Sequence, residues 1–499
     1  MRDRIRDRLA NIVPTGSVFQ RTIKGGIWVS GIKLSSRFLQ ILMLIILARL
    51  LSPRDFGLMG VALVSLSATK NFTNIGLRSA LIQRKNENVD EYLDTTWCLE
   101  AGRGLLIAGV LFVLAPYIGQ LFSEPEATSL IRVIGLGPLF VGLRNPGIVY
   151  FHKDLDFHKE FVYQVSGGFV QFIVGVGYAL VSPTVWALVF GFVSADVFRF
   201  GLSYVVHEYR PWFSFDIEIA KELIEYGKWI TATSFVYFLY SEGDDAFVGW
   251  YLSATALGFY QYAYRIADTP SSEVSEVISS VTFPAYSKLQ DSPGELKEAL
   301  LSTTRMSAFI TIPMAIGIAL IAPSFVPVVL GPDWSPMIVT MQLLALYGLF
   351  HSLTRNFGSL FKAVDRPDLS AKLGSLRVLL IAALIWPATA MWGIEGTALV
   401  VVGVYAFPMI PLDVYVVTNL VEIRAVEIYR EWFYPLLASG VMFGSLWYAT
   451  NVFDLSPLVE LVFLIPTGAI IYATVSFVLE RQFDWGVEEN IRSMLKNMA

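Results

Sequence analysis

Leu51-Ser52-Pro53-Arg54-Asp55-Phe56-Gly57 closes one apolar run of this 499-residue chain and opens the next. Leu252-Ser253-Ala254-Thr255-Ala256-Leu257-Gly258 does the same 201 residues later (252 minus 51). Further echoes follow in the same order at a slowly drifting offset. Ala115-Pro116 answers Ala322-Pro323, Arg144-Asn145-Pro146-Gly147 answers Arg355-Asn356-Phe357-Gly358, and Ala187-Leu188-Val189 answers Ala398-Leu399-Val400. Short identities arise easily in apolar sequence, but a run of them in one order indicates two copies of a hairpin-based unit. In a membrane protein such duplication points to a transporter.

The membrane follows from composition. With 55% hydrophobic and 16% charged residues and a mean hydropathy of +0.56, the chain is too apolar for a soluble globular protein. The single cysteine, Cys98, excludes an intramolecular disulfide. A net charge of −5 speaks against nucleic acid as a partner.

Apolar runs of about 20 residues, enough to span a bilayer, fall at 27–50, 56–81, 97–121, 127–150, 161–181 and 185–206. The second half repeats the pattern at 229–251, 257–285, 306–330, 337–361, 373–392 and 397–417, and 434–451 and 458–479 follow. The expected fold is therefore all-α and polytopic, with 14 transmembrane helices: two pseudo-symmetric six-helix bundles plus two C-terminal helices. Most of the 37 Lys and Arg residues sit in the N-terminal arm, the even-numbered loops and the C-terminal tail, while the opposite loops hold only Arg54. This asymmetry predicts cytoplasmic N- and C-termini.

The domain layout reads as a cytoplasmic amphipathic arm (1–26), an N-terminal bundle (27–207), an interfacial linker helix (208–228), a C-terminal bundle (229–418), two additional spans (419–480) and a cytoplasmic tail (481–499). Like-oriented halves predict a site at their interface near mid-membrane and rocking between inward-open and outward-open states.

Ionisable groups inside spans are costly and mark function by default. Glu100 with Arg103, Asp196 with Arg199 and Arg265 with Asp268 stand at i,i+3 and are expected to neutralise one another locally. Lys33, Arg37, Arg144 and Arg355 have no acid near them in sequence. They are the candidate lining of a basic, cytoplasm-facing cavity that receives an anionic headgroup, the planar guanidinium suiting phosphate oxygens. The competing expectation for Arg144 and Arg355 is snorkelling to the interface. Glu242, Asp244 and Asp245, with Asp268 on the next helix beside Pro270 and then Glu273 and Glu276, form the candidate coupling-ion site for H⁺ or Na⁺. The bland alternative is a group of acids near the outer surface. His351, one turn from Arg355, is a further candidate relay.

No phosphate-binding loop occurs, so the chain is not expected to hydrolyse ATP. Asp154-Leu155-Asp156 imitates a glycosyltransferase metal motif without a nucleotide-binding domain around it, and the four histidines lack metal-ligand spacing. No cofactor and no enzymatic activity are expected.

The stretch 48–57 (Ala-Arg-Leu-Leu-Ser-Pro-Arg-Asp-Phe-Gly), Ala80-Leu81-Ile82-Gln83-Arg84-Lys85, Leu155-Asp156-Phe157-His158-Lys159 and Phe283-Pro284-Ala285-Tyr286-Ser287-Lys288-Leu289-Gln290 resemble the polysaccharide-exporter branch of the MOP flippase superfamily, which includes the O-antigen, colanic acid and teichuronic acid flippases. The resemblance extends through the twelfth expected helix. It implies a multi-pass cell (inner) membrane protein that moves an isoprenoid-linked oligosaccharide from the cytoplasmic to the outer leaflet for cell-surface polysaccharide or lipopolysaccharide biosynthesis. It further implies exchange with H⁺ or Na⁺, and its basic cavity would map onto Lys33, Arg37, Arg144 and Arg355. Expected partners are the lipid bilayer, the lipid-linked oligosaccharide and the glycosyltransferases or polymerase of the same pathway. The alternatives are a cation-coupled exporter of drugs or of another lipid-linked precursor, and a membrane glycosyltransferase or polymerase, which would need a larger loop carrying catalytic carboxylates.

Overall fold

The computed structural model describes residues 18–74, 76, 89–154, 156–453, 455–483 and 485–486. The expected N-terminal arm up to residue 17, the Ala80 to Lys85 motif, Leu155 and the tail from 487 lie outside them. Among the described residues every regular element is helical. The helices are α1 (Val18–Leu50), α2 (Pro53–Phe72), α3 (Val89–Leu121), α4 (Ala127–Gly142), α5 (Phe157–Val181), α6 (Trp186–Val206) and α7 (Ile217–Tyr251). They continue with α8 (Ala254–Leu289), α9 (Pro293–Leu330), α10 (Pro332–Ala363), α11 (Pro367–Val404), α12 (Ile410–Val421), α13 (Ala425–Val452) and α14 (Pro457–Phe483). Among the described residues eight candidate spans meet the length and hydropathy a bilayer crossing requires, α11 and α12 counting together as one 55-residue stretch. The chain forms two compact units, Met1–Gly258 and Phe259–Ala499.

In the first unit α1 lies on α5, α5 on α6, and α6 on α4. Helix α4 packs against α3 and α2, and α7 packs against α2 and α3. The repeated stretch explains its own residues. Ser52 caps α2: its Oγ accepts the Asp55 N–H at 3.3 Å, and the Asp55 carboxylate accepts the Ser52 N–H at 3.0 Å. Pro53 fills the first turn, where a missing N–H costs nothing. In the second copy the Ser253 hydroxyl accepts the Ala256 N–H at 3.1 Å at the head of α8.

The two copies also lie against each other. A Cβ on Gly57 would stand 1.6 Å from the Ala254 carbonyl oxygen, and one on Gly258 would stand 2.2 Å from that of Pro53. Because Pro53 corresponds to Ala254 and Gly57 to Gly258, the contact is reciprocal, as a local two-fold requires. Backbone meets backbone there because neither glycine has a side chain.

At the same end Asp55 Oδ1 accepts the Val185 N–H at 3.0 Å, and Arg54 reaches Glu124 at 2.9 Å. The turns after α1, α3 and α5 are thereby joined. At the opposite end Asp94, at the start of α3, accepts from the Tyr209 hydroxyl at 2.7 Å and the Trp212 N–H at 2.9 Å. Asn145, after α4, is fully buried; its backbone N–H donates to Ser203 Oγ at 2.9 Å and its Nδ2 to the Tyr209 carbonyl at 2.6 Å. The turns after α1, α3 and α5 thus lie at one end of this unit, and the start of α3, the turn after α4 and the chain after α6 at the other. The expected linker helix is instead a non-helical strap over 208–216, followed by α7, which runs through residue 228 without a break. Helix α8 likewise continues through Pro270.

In the second unit α9 is central, packed against α10, α12, α13 and α14. Its core joins Leu300 and Ile312 of α9, Leu353 and Phe357 of α10, Val414 of α12 and Ile428 of α13. Helices α13 and α14 share a second cluster, Met442 and Leu446 with Leu464 and Tyr472, against Phe309 of α9. Arg305 grips Glu431 with Nε at 2.6 Å and Nη2 at 3.1 Å, and the Trp485 indole N–H donates to the same carboxylate at 2.9 Å.

Helix α11 contains a reversal at Gly393, where φ is +57°. Thr389 and Thr397 share a hydrogen bond at 2.8 Å, and a Cβ on Gly396 would stand 2.1 Å from the Ala388 carbonyl. Residues eight apart in a straight helix would be about 12 Å from each other, so the chain folds back there.

Candidate functional site

The four cations singled out in the sequence have different surroundings. Lys33 and Arg37 are exposed on one face of α1, alongside the exposed Leu34 (73%), Phe38 (66%) and Ile41 (55%). Arg37 Nη1 donates to Gln40 at 3.1 Å on the same helix.

Arg144 departs from expectation. It is an ion-pair partner of Asp196 at 2.6 Å, with both side chains largely buried. Asp196 had been expected to neutralise Arg199 three residues on. Instead the turn after α4 brings Arg144 to it from the outside, and Arg199 Nη2 donates to the Gln164 carbonyl at 3.2 Å. The charge pairing is tertiary, because α4 and α6 are neighbours and a short bond to a planar guanidinium is stronger than a helical i,i+3 pair. Glu100 and Arg103 do pair locally, at 3.4 Å. Arg355 in the second unit also has an acid partner, Glu276 of α8 at 3.8 Å.

Glu242, Asp244 and Asp245 are half-buried, six to nine residues before the end of α7 at Tyr251. Glu242 is hydrogen-bonded to Ser67 of α2. Asp268 belongs to the second unit. There it faces His351 of α10, Oδ1 to Nδ1 at 3.6 Å, and not Arg265. Among the described residues no three His, Cys, Asp or Glu side chains converge where a metal could be held.

Among the described residues, the most deeply buried charge pair of the second unit lies outside the candidates named from sequence. Arg377 of α11 reaches Asp413 of α12 at 3.3 Å, with side-chain exposures of 10% and 5%. Arg377 Nη1 donates to the Tyr405 hydroxyl at 3.1 Å, and the guanidinium carbon lies 4.1 Å from the Tyr405 ring centre. Tyr405 meets Tyr347 edge-on at 4.8 Å, and Tyr347 stacks on His351 at 5.5 Å. The signal was available: each is an isolated ionisable residue within an apolar run.

A duplicated start signal, helices long and apolar enough to cross a bilayer and ion pairs buried between them define a multi-pass helical membrane protein. Its fold matches that of the lipid II flippase MurJ, with a TM-score of 0.76 over 91% of this chain and 99% of that one, at 14% identity. The chain belongs to the polysaccharide biosynthesis protein family, whose sequence model matches residues 46–339. It is 27% identical over 397 residues to the lipopolysaccharide biosynthesis protein WzxC of Escherichia coli (strain K12), covering 77% of this chain and 78% of that protein. To the succinoglycan biosynthesis transport protein ExoT of Rhizobium meliloti (strain 1021) it is 28% identical, over 60% and 61% of the two chains.

Proposed function

We propose that this protein is a flippase that moves an isoprenoid-(pyro)phosphate-linked oligosaccharide from the cytoplasmic to the outer leaflet of the cell membrane, for assembly of a surface polysaccharide. The observation that carries this reading is the family match over 46–339. Relatives named for lipopolysaccharide biosynthesis and for succinoglycan transport support it, as does a fold shared with a lipid II flippase. The full topology we favour has fourteen spans with both termini in the cytoplasm, the two α11 segments on either side of Gly393 running in opposite directions. The layout remains two six-helix bundles, residues 27–207 and 229–418, with two added helices.

In this reading the protein works by alternating access and makes or breaks no covalent bond. The phosphate meets basic side chains while the isoprenoid stays among acyl chains, because moving a diphosphate through hydrocarbon without cationic partners is prohibitive. Lys33 and Arg37 on α1, together with Arg144 and Arg355, are the proposed contacts. Glu242, Asp244, Asp245 and Asp268 are the proposed groups through which an H⁺ or Na⁺ gradient drives turnover. Glycosyltransferases and a polymerase would supply and consume the cargo.

Deleting the gene is expected to trap lipid-linked oligosaccharide on the cytoplasmic leaflet and to remove surface polysaccharide, read by lipid extraction and glycan staining. Drug hypersensitivity with unchanged surface polysaccharide would reject the reading in favour of a drug exporter. Arg37→Ala should reproduce the trapped intermediate while the protein is still present at normal level in the membrane. Normal surface polysaccharide in that strain removes Arg37 from the mechanism.

A further inference from the structure

The first unit holds a cluster of charges of which the cavity reading uses only Arg144. Lys70 of α2, Glu100 and Arg103 of α3, Arg144 after α4, and Asp196 and Arg199 of α6 come together among the helices. Lys70 lies in electrostatic range of Asp196, Arg103 and Arg144. Arg199 lies in range of Arg144 and Asp196. Among the described residues the cluster therefore has four cations against two carboxylates, packed between the helices of the unit. An excess of buried positive charge is costly unless an anion shares it.

The hydrogen bonds point the same way. Arg103 engages all three of its nitrogens locally, donating to Glu100 at 3.4 Å, Thr73 Oγ1 at 3.3 Å and the Lys70 carbonyl at 3.1 Å. The others do not. Among the described residues the Lys70 amine makes no hydrogen bond or ion pair; the Phe192 ring, 5.9 Å away, is its recorded neighbour. Arg144 Nε and Arg199 Nε are buried with no acceptor. A buried donor without a partner carries a penalty. Arg199 is nonetheless held in place: a Cβ on Gly167 would stand 2.2 Å from its Nε, so α5 leaves a notch for the guanidinium.

We propose that Lys70, Arg144 and Arg199 form an oxyanion site inside the first unit, recognising a phosphate or diphosphate group, with Asp196 as the resident carboxylate that an incoming anion displaces from Arg144. The proposal rests on the flippase reading only for the source of the anion. The site itself requires nothing beyond the cluster. A doubly charged oxyanion matches the charge excess, and its several acceptor atoms match the unfilled guanidinium and ammonium donors. Asp196 then keeps Arg144 oriented between binding events at lower cost than an isolated buried cation.

The test is a calorimetric titration of the purified full-length chain, in nanodiscs of zwitterionic lipid at low salt, with inorganic diphosphate. Saturable binding is expected, weakened about tenfold or more by Lys70→Gln, which removes one charge-assisted partner. Asp196→Asn is expected to strengthen binding severalfold, because the competing carboxylate is gone. A purely structural ion-pair network makes the opposite prediction for Asp196→Asn: a lower melting temperature and no gain in affinity. Arg366→Gln, on the exposed turn before α11, serves as the control and should bind as the parent does.

Failure of the parent chain to bind diphosphate, or binding unchanged by both Lys70→Gln and Asp196→Asn, overturns the site. Should Asp196→Asn not fold, Lys70→Gln alone decides. Farnesyl diphosphate binding at least tenfold tighter than diphosphate assigns the site to an isoprenoid-linked ligand, and equal affinities assign it to the free anion. Competition by phosphatidylglycerol nanodiscs assigns it to ordinary headgroups. Each of the three leaves the site standing, and the deletion phenotype tests the flippase reading independently.

Discussion

Adding one methyl group at Gly57 is expected to abolish surface polysaccharide in a complementation assay and to destabilise the purified chain. The new Cβ would stand 1.6 Å from the Ala254 carbonyl oxygen, closer than any non-bonded pair tolerates, and the obstacle is backbone rather than a flexible side chain. The heads of α2 and α8 must therefore move apart. Overpacking of this kind costs about 3 kcal/mol, which corresponds to a melting-temperature decrease of roughly 6 to 12 °C for a unit of this size. Gly258→Ala strikes the same crossing from the other side, against the Pro53 carbonyl. Because both changes separate the same two turns, the double variant should cost less than the sum of the single ones. Gly102→Ala on α3, where a Cβ meets nothing within 4 Å, is the control. It should leave stability unchanged or raise it by up to about 1 kcal/mol, the helix-propensity difference. A Gly57→Ala chain that melts with the parent would show that the turns are not pressed together in the working protein.

That crossing is also where the sequence was most legible. The two seven-residue stretches were recognisable as copies because the same local physics shaped both: a serine that caps a helix, and a glycine four residues into it that allows close approach. Local rules also found the helices, since apolar runs bounded by turns need no knowledge of their neighbours. The echo Arg144-Asn145 with Arg355-Asn356 was legible too, and its meaning is packing. Asn145 donates to the Tyr209 carbonyl at 2.6 Å, and Asn356 donates to Ser307 at 2.6 Å in the other unit, both fully buried.

Charge pairing was not legible. Asp196 stands three residues from Arg199 and 52 from Arg144, yet the distant arginine holds it at 2.6 Å. Sequence spacing measures proximity only along one helix, whereas the choice of partner depends on which helices are adjacent. For the same reason the i,i+3 spacing points Asp268 to Arg265, whereas the structure turns it towards His351 on α10. The linker departs from its sequence pattern at one point. Its amphipathic pattern suggested a short helix lying on the surface, but no turn signal separates residue 228 from 229, and the helix simply continues.

Arg377 and Asp413 offer the other large effect, and one that separates stability from transport. Arg377→Ala leaves the Asp413 carboxylate 5% exposed with its cation gone. Breaking a buried pair by removing one partner costs about 3 to 5 kcal/mol, and here the Tyr405 hydroxyl also loses its donor. The expected result is a strong decrease in melting temperature and in the amount of protein recovered from membranes. Asp413→Leu should be comparably harmful, because the guanidinium is then left buried against Tyr405. Replacing both, Arg377→Met with Asp413→Leu, removes the desolvation cost together with the attraction, and such exchanges are often neutral or stabilising. The double variant should therefore melt close to the parent. Its transport then carries the information. Arg377 ties α11 to Tyr405, and the Tyr405–Met409 break connects α11 to α12. Tyr405 in turn touches Tyr347 beside His351. If the pair only holds the fold, a stable double variant flips its cargo at the parental rate. If those polar contacts are remade during turnover, the apolar replacement locks one arrangement and transport is lost at full stability. Recovery of both stability and surface polysaccharide would show that the pair contributes nothing beyond packing.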